Sequence, residues 1–463
     1  MAIETAPKSA IASALADLRV FLGDRATAAE SVREHHSHGE STHAPALPDL
    51  VCFPQTTQEV SAILKVSARH QLPVVPFGAG TSLEGHVHAL RGGISIDMRQ
   101  MNRVLRVSAN DLDATVEAGI GRLALQKALE NTGLTFFIDP GADATIGGMA
   151  STRASGTTAV RYGTMRENVL ALTVVLADGR ILHTGTRARK SSAGYDLTRL
   201  FVGAEGTLGV ITEVTLRLHP LPEAVGVVLC TFATIDGAVQ TVIEAIQLGL
   251  SVARIEFMDA PQVDAINRYS HLDLALKPTL LFEFHGLSQS SVEETARLAE
   301  GLAAEHGGLG FDWQTTPAGR ERLWKARHDT YYATRALRPG SDVLVTDVCV
   351  PISRLAECIV ATRADLDALS FPGVMVGHVG DGNFHVQCLL GPDQADEAEA
   401  FASRLVQRAQ AMGGTCTGEH GVGSGKKKYL KAEHGEGLEV MRTLKRALDP
   451  DNRMNPGKIV DMD

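Results

Sequence analysis

Two histidines, His378 and His385, bracket a glycine-rich turn in the stretch Gly377-His378-Val379-Gly380-Asp381-Gly382-Asn383-Phe384-His385, with apolar residues on both flanks. A hairpin there sets the two imidazoles side by side. Further along, Glu419 and His420 stand in a second glycine turn, Thr417-Gly418-Glu419-His420-Gly421-Val422-Gly423. Two neutral imidazoles and a carboxylate suit a divalent cation that keeps open positions for a substrate. Histidines of this kind also occur simply hydrogen-bonded to backbone, and the convergence of His378, His385 and Glu419 is a three-dimensional requirement that spacing leaves open. A cation so held supports two chemistries: lowering the pKa of a substrate hydroxyl, or activating water as a zinc metallohydrolase does.

Three glycine clusters need a different ligand. Val74-Val75-Pro76-Phe77-Gly78-Ala79-Gly80-Thr81-Ser82 follows an apolar strand, and backbone N–H groups in such a turn can cradle a pyrophosphate without a counter-charge. Its spacing is not that of a dinucleotide fingerprint opening a long helix. Asp97, downstream where a ribose-binding acid would stand, lies inside Gly93-Ile94-Ser95-Ile96-Asp97-Met98 and reads as a strand-end residue. The second cluster, residues 139–169, sets glycines among Ser and Thr hydroxyls and apolar side chains, the texture of a folded loop lying against a large ligand. The third, Gly203-Ala204-Glu205-Gly206-Thr207-Leu208-Gly209, is a tight turn feeding a strand; Glu205 reads equally as a solvated turn residue or a ligand contact.

The elements that must position these groups fall into two textures. From Leu50 to about residue 220 the chain is α+β and rich in short strands. Thr57 is placed to cap a helix whose apolar stripe is Val60, Ile63, Leu64 and Ala68. Ala171 to Leu182 reads as a hairpin turned at Asp178-Gly179. From about 223 to 415, strand-like runs alternate with helical stretches, which suggests an α/β unit whose sheet is covered by helices. The tail is a helix followed by a Pro/Gly-rich segment. The early tract His35-His36-Ser37-His38-Gly39-Glu40-Ser41-Thr42-His43 reads as a solvated loop, and Lys426-Lys427-Lys428 as a solvated basic face.

Composition narrows the function classes. The chain has 463 residues, 44% hydrophobic and 21% charged, as in a globular enzyme of two or three domains. A net charge of −10 argues against nucleic-acid or anionic-lipid binding, so an anionic substrate needs its own local positive site. Six cysteines with no CxxC pair read as reduced thiols, which points to the cytoplasm. The N-terminal residues do not make a signal or transit peptide, and no stretch has the length of a membrane span. That leaves room for peripheral attachment at the inner face of a membrane.

Taken in order, PFGAGTSLEGH, DPGADATIGGMASTRASGTTAVRYG, LFVGAEGTLGVITEVTLRLHP, GHVGDGNFH, GEHGVGSGKK and DPDNRMNPGKI resemble the FAD-linked oxidase family of the vanillyl-alcohol-oxidase type. Within it the chain is similar to the branch that includes D-lactate dehydrogenase (cytochrome), glycolate oxidase and D-2-hydroxyglutarate dehydrogenase. The resemblance implies an α+β fold with a two-part, PCMH-type FAD-binding domain (1–220, rejoined by 416–463) and an α/β substrate cap (221–415). It implies FAD held without a covalent link, so that His86 is structural. Pro76, Phe77, Gly78, Ala79, Gly80, Thr81 and Ser82 would wrap the pyrophosphate. Pro140, Gly141, Thr145, Gly147, Gly148, Ser151, Ser155, Gly156 and Tyr162 would line the flavin and its phosphates, and Glu205, Gly209, Ile211 and Asn455 would complete the site. His378, His385 and Glu419 would bind zinc, manganese or iron. His420 would act as general base on the hydroxyl of a small D-2-hydroxy acid, while Cα–H faces the flavin. Arg327, on its own a solvated helix arginine, would take the substrate carboxylate in bidentate fashion. Val345 stands where relatives acting on 2-hydroxyglutarate carry a lysine, which favours lactate. The acceptor would be a cytochrome, a quinone, an electron-transfer flavoprotein or oxygen, and a homodimer is compatible.

Overall fold

The computed structural model describes residues 7–462. It divides into two compact units. The first contains the chain up to Ser155, Gly163–Leu221, and everything from Glu419 on; the second contains Gly156–Tyr162 and Pro222–Gly418. The short piece 156–162, assigned from sequence to the first unit, therefore belongs to the second.

The first unit is built on two larger sheets and a two-stranded pair, Leu134–Thr135 with His219–Pro220. In one, Leu50–Cys52 and Val74–Phe77 flank Ile94–Asp97 in parallel. The helix Thr57–His70 covers it, burying Val60, Ile63 and Leu64. Its cap is Thr56, one residue earlier than expected: Thr56 is extended, and its hydroxyl accepts from the Glu59 N–H at 3.1 Å. The second sheet is antiparallel, in the order Val104–Ser108, Asp113–Glu117, Val210–Arg217, Val169–Val175, Ile181–His183. The hairpin turned at Asp178-Gly179 joins the last two, with Gly179 at φ 86°, where a side chain would be strained. Met149, Ala150 and Phe136 pack with Ala114, Val116 and Val214 in its core. The last stretch clips back on: Met454 bridges Val74, and the Asn455 N–H donates to Val74 O at 2.7 Å.

The histidine tract is solvated only in part: His35, His38, Glu40 and Thr42 are exposed, but its other residues are wholly or half buried. His36 is buried, with Nε2 3.0 Å from Asp97 Oδ2, and the Glu40 N–H donates to Gly80 O at 3.0 Å. A Cβ on Gly39 would stand 2.6 Å from Gly80 O, so the tract is pressed against the first glycine loop. Lys426 is also buried, 3.2 Å from Glu84, rather than on a solvated face.

The second unit keeps the alternation of strands and helices around one antiparallel sheet. Its order is Gly308–Gln314, Ala224–Phe232, Thr279–Gly286, Val252–Met258, Gly373–Gly377, Asn383–Leu390, Asp342–Val345. Val348–Cys349 pairs with Asn383–Leu390 off that path. All six cysteines are free thiols. Among the described residues no helix is long and apolar enough to cross a membrane.

Candidate active site

A cavity enclosing about 1190 Å³, open solvent at its mouth included, is cut into the first unit. The turn after Val74–Phe77 lines it with Pro76, Phe77, Gly78, Ala79, Gly80, Thr81 and Ser82; the second glycine cluster adds Pro140, Thr145, Gly147, Gly148, Ser151 and Ser155. Glu205, Gly209, Ile211 and Asn455 complete the wall, joined by His86, Glu419 and His420. Gly141, Gly156 and Tyr162, expected here, are not on it. Gly141 stands between two wall residues, Pro140 and Ala142, at φ 83° with its N–H on Asp139, and the other two belong to the second unit.

The wall suits a dinucleotide. A Cβ on Gly78 would lie 2.3 Å from Thr145 Oγ1, so bare backbone faces the cavity there. Ser82 Oγ and His86 Nδ1 are buried on the wall with no hydrogen-bond partner, which leaves polar atoms for a ligand to satisfy. Glu205 and Asn455 both adopt positive φ (51° and 40°), an uncommon conformation for non-glycine residues that tends to gather at functional sites. Asn455 holds it by donating from Nδ2 to Glu205 O (2.7 Å) and His86 O (3.1 Å). The Glu205 carboxylate accepts from the N–H groups of Val422 and Gly423 at 2.7 and 2.8 Å. Burial pushes its pKa up, but the charge of His86 and these hydrogen bonds outweigh that and hold it below the ordinary range. His86 is therefore part of the cavity wall as well as a structural residue.

In the second unit, the strand Gly373–Gly377 delivers His378 and the paired strand Asn383–Leu390 delivers His385. Their ring centroids are 5.5 Å apart and their facing nitrogens lie within 4.8 Å. His378 Nδ1 donates to Glu256 Oε1 at 2.7 Å; His385 Nδ1 donates to Thr346 O at 3.1 Å. With both Nδ1 atoms protonated, each ring carries its lone pair on Nε2, the tautomer that metal-binding histidines adopt. Glu419 follows Gly418, the last residue of this unit, and Gly418 is pinned beside His385's strand. A Cβ there would meet Asn383 Nδ2 at 2.1 Å, while Asn383 and Thr417 both bond to Asp347. The Glu419 Cα is one peptide, about 3.8 Å, beyond that anchor. The donor types and tautomers fit a divalent ion.

Arg327, in the last turn of the helix Pro317–His328, is not the free fork expected. Its Nε donates to Glu256 Oε2 at 2.6 Å and its Nη1 to Thr330 Oγ1 at 3.2 Å, so the Nε edge is taken and an incoming carboxylate is left Nη2 and the second N–H of Nη1. Glu256 is fully buried; burial raises its pKa, yet the charge of Arg327 and the hydrogen bonds from His378 and Arg327 hold it net below normal. Sequence reasoning passed over Glu256. The available signal was an Arg and a Glu two apart, Arg254 and Glu256, on an otherwise apolar strand. Tyr162 bonds to His285 Nδ1 at 2.7 Å, and His285 Nε2 to Glu283 at 2.7 Å, all within this unit. Val345 pairs directly across from Gln387, on the sheet face that His385 shares.

Two family models match the chain: "FAD linked oxidases, C-terminal domain" over residues 221–459 and "FAD binding domain" over residues 48–185. A Danio rerio protein named "Probable D-lactate dehydrogenase, mitochondrial" is 50% identical, covering 99% of this chain and 94% of that protein. An Arabidopsis thaliana protein named "D-lactate dehydrogenase [cytochrome], mitochondrial" is 45% identical over 96% of this chain and 80% of its own. Among solved structures, p-cresol methylhydroxylase with substrate bound superposes with a TM-score of 0.82 at 17% identity, covering 99% of this chain and 98% of that one, a likeness of fold.

Proposed function

Since this chain belongs to the FAD-linked oxidase family, we propose that it oxidises a small D-2-hydroxy acid, D-lactate first, with non-covalent FAD and one divalent metal ion. When bound, FAD accepts the hydride from Cα and a zinc, manganese or iron ion lowers the pKa of the α-hydroxyl. The chain's own residues do the rest. The turn Pro76–Ser82 presents backbone N–H groups to the pyrophosphate. His378, His385 and Glu419 hold the ion. Arg327 receives the substrate carboxylate through Nη2. His420, on the cavity wall, takes the hydroxyl proton onto an imidazole nitrogen.

The observation that carries this reading is the pair of imidazoles with both Nδ1 atoms within hydrogen-bond distance of oxygens, an arrangement that reserves Nε2 for a cation. A bare metallohydrolase leaves a cavity of dinucleotide character in the first unit without a purpose. A cytochrome is the favoured acceptor, because the names of three relatives carry it; quinone, electron-transfer flavoprotein and oxygen are to be compared with it. The test is anaerobic stopped-flow bleaching of bound flavin with a panel of D- and L-2-hydroxy acids. D-lactate is expected to bleach fastest, and a flavin that no 2-hydroxy acid reduces would overturn the reading.

A further inference from the structure

We propose that Glu256 is a positioning residue that orients His378 and Arg327 together, so that metal affinity and substrate-carboxylate binding depend on one carboxylate. This rests on the function proposed above and deepens it.

Glu256 sits in the middle of Val252–Met258, with no solvent exposure. A lone charge there would be costly; paired and hydrogen-bonded on both oxygens it is tolerated. One oxygen accepts from His378 Nδ1 at 2.7 Å, the other from Arg327 Nε at 2.6 Å. The first contact sets the imidazole tautomer and raises the basicity of Nε2, as a carboxylate behind a metal-binding histidine does. The second holds the guanidinium plane by its Nε edge, while Nη1 is tied to Thr330 at 3.2 Å. The two contacts share a group, so losing it should loosen both partners at once. The neighbouring carboxylate does not substitute: Glu283 is engaged with His285 at 2.7 Å and with Arg254 at 3.5 Å.

The test compares wild type, Glu256→Gln, Arg327→Met, and the double variant Glu256→Met with Arg327→Met, which leaves no unpaired buried charge and so guards against misfolding. Each FAD-loaded protein is stripped with chelator, and Mn²⁺ binding is measured by calorimetry; KM and kcat for D-lactate are then measured in saturating Mn²⁺. Arg327→Met should keep Mn²⁺ affinity near wild type and raise KM. The double variant should lose about 10- to 100-fold in Mn²⁺ affinity. Glu256→Gln should weaken Mn²⁺ binding and raise KM together. Equal Mn²⁺ affinity in Arg327→Met and the double variant would overturn the proposal while the function stands. Wild type that binds no Mn²⁺ would instead overturn the metal assignment, and this proposal with it.

Discussion

His86 Nε2 lies 3.3 Å from Glu205 Oε1, two buried side chains meeting in the wall of the first unit's cavity. The same carboxylate fastens Val422 and Gly423, in the stretch that returns after the second unit. Because the folded carboxyl titrates below its unfolded range of about 4.3, the unfolded chain takes up the proton first on acidification. The stability it contributes is present above that range and is lost as pH falls through the folded value. FAD retention of the wild type should drop in that window, whereas Glu205→Gln should retain less FAD at neutral pH and lack this acid step. Gel filtration with flavin absorbance across pH checks it; identical profiles would remove Glu205 from this role.

His420→Ala should keep its FAD and lose about a hundred- to ten-thousand-fold in the rate of flavin reduction by D-lactate. A near-normal rate in rapid-mixing absorbance would reject it as the base.

Chelation of the purified protein should abolish D-lactate turnover while the flavin spectrum stays, and Mn²⁺ or Zn²⁺ should restore it. Turnover indifferent to thorough chelation, checked by elemental analysis, would end the metal assignment.

Gly78→Ala should bind FAD poorly. The added Cβ displaces Thr145 Oγ1, which caps the helix Ile146–Thr152 through the Gly148 N–H at 3.3 Å. Loss of that cap alone costs about 1 kcal/mol. A lower melting temperature and reduced flavin per chain are expected; unchanged values for both would contradict the tight fit.

Val345→Lys should move preference from D-lactate toward 2-hydroxy diacids, since Val345 shares a sheet face with His385. An unchanged kcat/KM ratio between the two substrates would remove Val345 from the pocket.

The sequence was most readable where chemistry and local structure coincide. A strand running into Gly78-Ala79-Gly80 announces a backbone cradle, and those residues line the cavity. Readings failed where a partner is distant in the chain. His36 looked solvated because Asp97, which buries it, is 61 residues away. Gly156–Tyr162 was grouped with the first unit because nothing local marks it as leaving one unit for the other. Glu256 was passed over because His378, which explains it, stands 122 residues on. Arg327 was found, but its engagement with Glu256 depends on the same long-range pairing.

The first unit is assembled from separated stretches, and Asn455 and the Met454–Val74 bridge come from the last of them. Glu419, His420 and Asn455, three members of the cavity wall, therefore come from the part of the chain that is synthesised after the whole second unit. The wall is completed only when the two distant ends of the chain in this unit meet.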